Sequence, residues 1–347
     1  MMLNDRIESR WLLAFQRVFE LCKVERGQQV AILAETQSRS LNVELARLAL
    51  ENLHACVFEI TVPTPAQTAP VPVRSTGASQ VLNGHDAALE ALKSASLVVD
   101  LTVEGLLHAT QLPTILGSGA RVLMVSNEHP DALERLVPQA GDEQVARRAI
   151  KACRGAQRMK VASAAGTDLT IDLTNARTGG VWGWSDRAGM VSHWPGGIVV
   201  NFPAPGSVNG RLIMDVGDIN LTFKRYLEQQ VELLIENDFV VAVNGEGTDA
   251  ELMRRYLQAW DDREAYGVSH VGWGLNERAR YEALAMYDQR DINGTELRAF
   301  AGNFLYSTGA NEVAGRFTEG HFDLPIRNCT IRLDDTVMVD AGRVVTE

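Results

Sequence analysis

Alternation is the feature that most constrains this chain. Over its first 155 residues, apolar runs of strand length at 29–34, 55–62, 96–102 and 121–126 take turns with helix-like stretches at 41–53 and 86–93. A further helix-like stretch covers 142–154. Strands that are apolar along their whole length are buried on both faces, and a parallel sheet wrapped by helices provides that burial. Ahead of the first strand, Trp11, Phe15, Val18, Phe19 and Cys22 recur at helical spacing. Asp5 and Glu8 stand at capping-box separation before them, and Gly27 marks the stop. Residues 63–79, rich in Pro, Thr and Ala, read as a long surface loop.

Beyond residue 156 the texture changes. Short strands are expected at 161–164 and 170–173 around the turn Gly166-Thr167-Asp168. An aromatic, glycine-rich stretch follows at 179–210, then a strand at 239–243 ending on Asn244-Gly245. Thr248 and Glu251 are placed to cap a helix over 250–260, and strands with glycine turns fill the tail. At 347 residues the chain exceeds what one core usually serves. The expectation is an α/β N-terminal domain with a parallel sheet, residues 1–155, and an α+β metal-binding domain, residues 156–347.

Charge narrows the partners. With 44 acidic residues against 33 basic, the net charge of -11 opposes nucleic acid and anionic membrane. No apolar run approaches the ~18 residues of a membrane span, and the N-terminus is too charged for a signal peptide. A cytoplasmic protein is expected. Cys22, Cys56, Cys153 and Cys329 stand far apart without a C-x-x-C pair, so they read as reduced, mostly buried thiols. Phosphate-loop, dinucleotide and nucleophile-elbow motifs are all missing.

The chemistry concentrates on a few histidines. His54, His85 and His129 lie at a helix end, in a turn and before a proline, where histidine needs no function. His321-Phe322-Asp323 is different, because residues i and i+2 of a strand project from one face. An imidazole and a carboxylate so placed can grip one metal ion. His270, in the glycine-flanked stretch Ser269-His270-Val271-Gly272-Trp273-Gly274-Leu275-Asn276, is the best third ligand. Two histidines and one carboxylate with open positions suit non-haem Fe(II), and the same set on zinc would serve a hydrolase. Ligand identity leaves both open. His108 follows the strand at 96–102, near the end where open α/β sheets place ligand crevices. A helix-surface histidine is the alternative there. Trp182, Trp184, Trp194, Phe202 and Trp273 can wall a flat substrate or simply pack the core.

Several stretches resemble the aminopeptidase T-like metallopeptidases: Pro195-Gly196-Gly197, the run 203–210, the Gly-x-Gly-x-Asn of 272–276, and Gly320-His321-Phe322-Asp323. Those peptidases hold two metals with glutamates. Ile198 and His270 stand here where those glutamates are expected, so the resemblance implies one metal. The sequence resembles more closely, nearly end to end, the offshoot typified by 2,5-dihydroxypyridine 5,6-dioxygenase. That likeness includes Leu106-Leu107-His108 and the run 304–309.

The resemblance implies Fe(II) held by His270, His321 and Asp323, with His108 as acid/base. It implies Leu107 and Ser307 as substrate-positioning residues and His193 in a supporting polar network; as plain residues, Ser307 reads equally as a backbone partner and His193 as a packed, hydrogen-bonded histidine. It further implies cleavage of 2,5-dihydroxypyridine with O2 to N-formylmaleamate in nicotinate-type pyridine breakdown, by a homo-oligomer. A metallo-aminopeptidase and a non-catalytic binding protein of the same fold are the competing readings.

Overall fold

The computed structural model describes residues 6–66 and 79–345. Asp5 and most of the 63–79 loop lie outside them. The elements of the first half, in chain order, are α1 (Ser9–Leu21), β1 (Gln29–Glu35), α2 (Ser40–Asn52), β2 (Cys56–Val62), α3 (Asp86–Lys93), β3 (Leu97–Asp100), α4 (Leu112–Gly117), β4 (Arg121–Val125), α5 (Pro130–Arg135) and α6 (Asp142–Gly155). Each expected strand and helix of this half is present, most ends shifted by a residue or two; the first helix, expected to stop at Gly27, already ends at Leu21. β3 and β4 are buried at every position, as strands covered on both faces must be.

The second half runs β5 (Arg158–Ser163), β6 (Asp168–Asp172), β7 (Arg177–Val181), β8 (Val191–Trp194), β9 (Ile198–Phe202), β10 (Val208–Met214), β11 (Ile219–Asn220), β12 (Arg225–Tyr226), β13 (Val231–Glu236) and β14 (Phe239–Asn244). It continues with α7 (Gly247–Ala259), β15 (Val268–Gly274), α8 (Ala283–Met286), α9 (Thr295–Ala299), β16 (Phe304–Asn311), β17 (Arg316–Ile326), β18 (Cys329–Leu333), β19 (Thr336–Asp340) and β20 (Arg343–Val344). The α7 start differs from expectation. Glu246 occupies the N-cap position, so Thr248 lies inside the first turn and caps nothing.

Three large sheets and the two-stranded β11-β12 pair organise these elements. A parallel sheet has the order β2-β1-β3-β4-β8. Its fifth strand comes from residues 191–194, well past the texture change at 155. Trp194 explains the placement: it is fully buried, packs its indole edge-on to Phe15 at 5.0 Å, and donates from Nε1 to the Leu136 carbonyl at 2.9 Å. An eight-stranded antiparallel sheet, β14-β13-β10-β6-β5-β18-β19-β20, faces a five-stranded one, β17-β16-β15-β9-β7. Between them lies the largest core, with Trp273, Tyr306 and Phe322 among its buried members. Trp182, Trp184 and Trp194 pack into the core between α1, α2 and the parallel sheet. The tryptophans are thus core residues.

The glycine motifs have a steric cause. Gly197 adopts φ +100°, and a Cβ there would meet Asn276 Cβ at 2.7 Å. Asn276 donates from Nδ2 to the Gly196 carbonyl at 2.9 Å, so the Pro-Gly-Gly and Gly-x-Gly-x-Asn stretches cross in contact. A Cβ on Gly272 would lie 1.9 Å from the Val199 carbonyl oxygen across the β9–β15 pairing. Backbone cannot yield as a flexible side chain does. Gly272→Ala is expected to cost about 2–3 kcal/mol of unfolding free energy, read from urea denaturation midpoints.

Candidate metal centre

β15, β16 and β17 pair antiparallel and carry the expected ligands to one place. His321 and Asp323, two apart on β17, share a face, and Asp323 Oδ1 lies 3.2 Å from His321 Nε2. His270 reaches them from β15, with Nε2 3.7 Å from the same oxygen. The β15–β16 register slips between Val268 and Val271. His270 sits in that irregularity, and bulges of this kind re-aim a side chain. Gly309 lies opposite His321 in the β16–β17 pairing, at φ +124°. Any side chain there would press on His321 Nδ1, at 3.1 Å, and on the Gly320 carbonyl.

Asp323 is the electrostatic centre of the group. Ser307, its cross-strand partner, donates its hydroxyl to Oδ1, and Arg298 donates from Nε to Oδ2. Burial by itself would raise this carboxyl. The Arg298 guanidinium and the flanking His321 and His270 imidazoles outweigh it and hold the group well below the usual carboxylate range. The charged form persists in a buried site.

His108 approaches from the other half. Asp100, at the end of β3, accepts from the backbone N–H of Thr102 at 3.0 Å and of Leu106 at 2.6 Å. This bracket shapes the loop that carries His108. Gly105 within it takes φ +75°, and a Cβ would strike the Met124 thioether. The loop is a turn here, so His108 is no helix-surface residue. Its ring centroid lies 5.1 Å from that of His321. Donor atoms of His108, His270 and His321 all fall within 4.8 Å of one another.

Proton affinities follow from the burial. His108 is pushed down to about 3, by desolvation first and then by the neighbouring His321 and His270. Desolvation lowers His270 to about 4 despite the opposing pull of Asp323. Both imidazoles are neutral, with lone pairs free for a cation. Nδ1 of His270 is buried without a hydrogen-bond partner, and Asp323 supplies the negative charge. This donor set fits a divalent metal.

The remaining expected residues take distinct places. Leu107 is 39% exposed beside His108. Ser307 is fully buried on Asp323. His193, on β8, donates from Nδ1 to the Pro195 carbonyl, which leaves Nε2 as an acceptor. The Phe202 ring meets His270 edge-on at 5.5 Å. Arg298 was not anticipated, since an arginine in Glu296-Leu297-Arg298 carries no motif; only the fold brings it to Asp323. Three other histidines lie at element ends: His54 follows α2 at φ +58°, His85 is the N-cap residue of α3, and His129 Nδ1 accepts from the Asp131 N–H at 3.2 Å. Cys22, Cys153 and Cys329 are buried free thiols, and Cys56 is exposed.

Fold and site together define a protein with a candidate metal centre. The family described as NicX, 2,5-dihydroxypyridine 5,6-dioxygenase, matches residues 10–346. The chain belongs to this family. A 2,5-dihydroxypyridine 5,6-dioxygenase from Pseudomonas putida KT2440 is 38% identical over 335 residues, 95% of each chain. The solved structure of 2,5-dihydroxypyridine dioxygenase from that strain is similar at TM-score 0.92 and 36% identity, covering 98% of this chain and 99% of that one. AmpT from Thermus thermophilus, at TM-score 0.66 and 15% identity over 97% and 99% of the chains, shares the fold. Among the described residues, no helix is long and apolar enough to cross a membrane.

His193 yields a pH prediction. Burial lowers its pKa to about 4 from an ordinary 6.5, so folding favours the neutral ring. That stability is fully present above pH 6.5 and is lost as pH falls towards 4. The loss is on the order of 3 kcal/mol. Denaturation midpoints should fall across this window in the wild type, and His193→Asn should flatten the fall.

Proposed function

We propose that the chain is a mononuclear Fe(II) dioxygenase that opens 2,5-dihydroxypyridine between ring positions 5 and 6. The observation that carries this reading is the convergence of His270, His321 and Asp323 on one point, with His108 facing them from the opposite half. Membership of the dioxygenase family supports it. Both oxygen atoms of O2 enter the product, so 2,5-dihydroxypyridine becomes N-formylmaleamate without a further reductant.

Fe(II) held by the two imidazoles and the carboxylate supplies Lewis acidity and electron exchange with dioxygen. The protein's own groups do the rest. His108, facing the site from its own loop, receives the proton of the ring 5-hydroxyl. Ser307 and Arg298 fix Asp323 so that Oδ1 faces the imidazoles. His193 offers Nε2 as an acceptor to a polar edge of the substrate, and Leu107 gives an apolar contact beside His108. Phe202, packed on His270, limits water on that side. Ile198, where a peptidase of this fold is expected to place a glutamate, is buried against Ala299 and Leu305. One metal rather than two follows from that substitution. We read the enzyme as a cytoplasmic homo-oligomer of pyridine catabolism, and the unpaired cysteines suit a reducing compartment.

His321→Ala should abolish Fe(II) binding and ring cleavage while the far-ultraviolet circular dichroism stays as in the wild type. Anaerobic metal content and oxygen uptake with 2,5-dihydroxypyridine measure both. Ring cleavage at the wild-type rate by this variant would refute the ligand assignment.

A further inference from the structure

The short helix α9 carries Arg298; its own half packs Leu297 and ties its far end, while the side chains that grip its start come from the other half of the molecule. Glu128, in the loop after β4, is 2% exposed. Its carboxylate accepts from three backbone N–H groups at the start of α9: Asn293 at 2.8 Å, Gly294 at 2.8 Å and Thr295 at 3.0 Å. Beside it the Ser126 and Thr295 hydroxyls meet at 2.8 Å. Arg135, on α5, grips the Glu296 carboxylate with both terminal nitrogens, one at 3.0 Å. At the far end Asn276 donates its backbone N–H to the Ala299 carbonyl at 2.9 Å.

We infer that Glu128 and Arg135 are positioning residues of the metal centre: by pinning α9 they hold the Arg298 guanidinium against Asp323. The chain of contacts runs from the end of the parallel sheet through three backbone N–H groups to one turn of helix, then to the carboxylate. A fork held this way keeps Oδ2 of Asp323 occupied and turns Oδ1 towards the imidazoles. Such outer contacts to a ligand commonly govern metal affinity by about 10–100-fold. The same pins set the distance between the half that carries His108 and the half that carries the ligands.

This inference rests on Asp323 being a ligand, as proposed above, and the test separates the two. Fe(II) affinity is measured anaerobically by chelator competition for the wild type, Glu128→Gln, Arg135→Lys, Arg298→Lys and the Glu128→Gln/Arg298→Lys pair. His321→Ala and Asp249→Asn are controls. Asp249 is a comparably buried carboxylate that accepts the N–H groups of Glu228 and Gln229 at 2.8 and 3.0 Å, with no contact to α9. Glu128→Gln and Arg135→Lys should each weaken Fe(II) binding about tenfold, whereas Asp249→Asn lowers the unfolding midpoint and leaves affinity within about twofold. In the Arg298→Lys background, Glu128→Gln should add almost nothing, because both act through one contact. If Glu128→Gln does not fold, Arg135→Lys decides the matter. Wild-type affinity in the folded pin variants, or effects that multiply in the double variant, would overturn the inference alone. Undiminished Fe(II) binding by His321→Ala would overturn the ligand reading and this inference with it.

Discussion

A buried negative charge governs the arrangement of the second half. Asp323 is 5% exposed, and an uncompensated carboxylate in such a place would take up a proton rather than stay charged. Arg298, Ser307 and two imidazoles surround it instead. Each of these partners arrives on a different element: α9, β16, β15, and β17 itself. Satisfying one carboxylate therefore fixes the mutual placement of four pieces of chain. The result is a preorganised pocket whose imidazoles and single acid suit a divalent cation.

The two halves of the molecule are interlocked. β8, from the second half of the chain, completes the parallel sheet and carries His193, while Trp194 fills a core built largely by α1 and α2. In return, the loop ordered by Asp100 sends His108 across to the strands that carry His270 and His321. The site lies where open α/β sheets place their crevices, beyond the carboxyl ends of β3 and β4. Its floor belongs to the antiparallel sheet β17-β16-β15-β9-β7. Neither half alone supplies both the His270, His321 and Asp323 group and the histidine that faces it.

Glycine serves the site indirectly. Gly309 clears space for the His321 ring, and Gly272 lets β9 approach β15 closely enough to back His270. Gly196 and Gly197 cross Asn276, whose backbone in turn ties the end of α9. The stretches that carried the family resemblance are mostly such close approaches. They shape the scaffold, and the chemistry lies on residues beside them.

The sequence by itself determined the parallel sheet and its helices, because apolar periodicity is set by which faces must be hidden from water. It also determined that His321 and Asp323 share a face, since alternation along a strand leaves no other choice. Only the tertiary structure decided that β8 joins the first sheet, that His270 is turned inward by an irregular pairing, and that Arg298 closes on Asp323. Those outcomes depend on contacts between segments tens to hundreds of residues apart, and no local spacing encodes them. His108 shows the same limit in its proton affinity. Imidazole in water titrates near neutrality, but desolvation and two neighbouring rings move this one to about 3, and neither influence is visible along the chain.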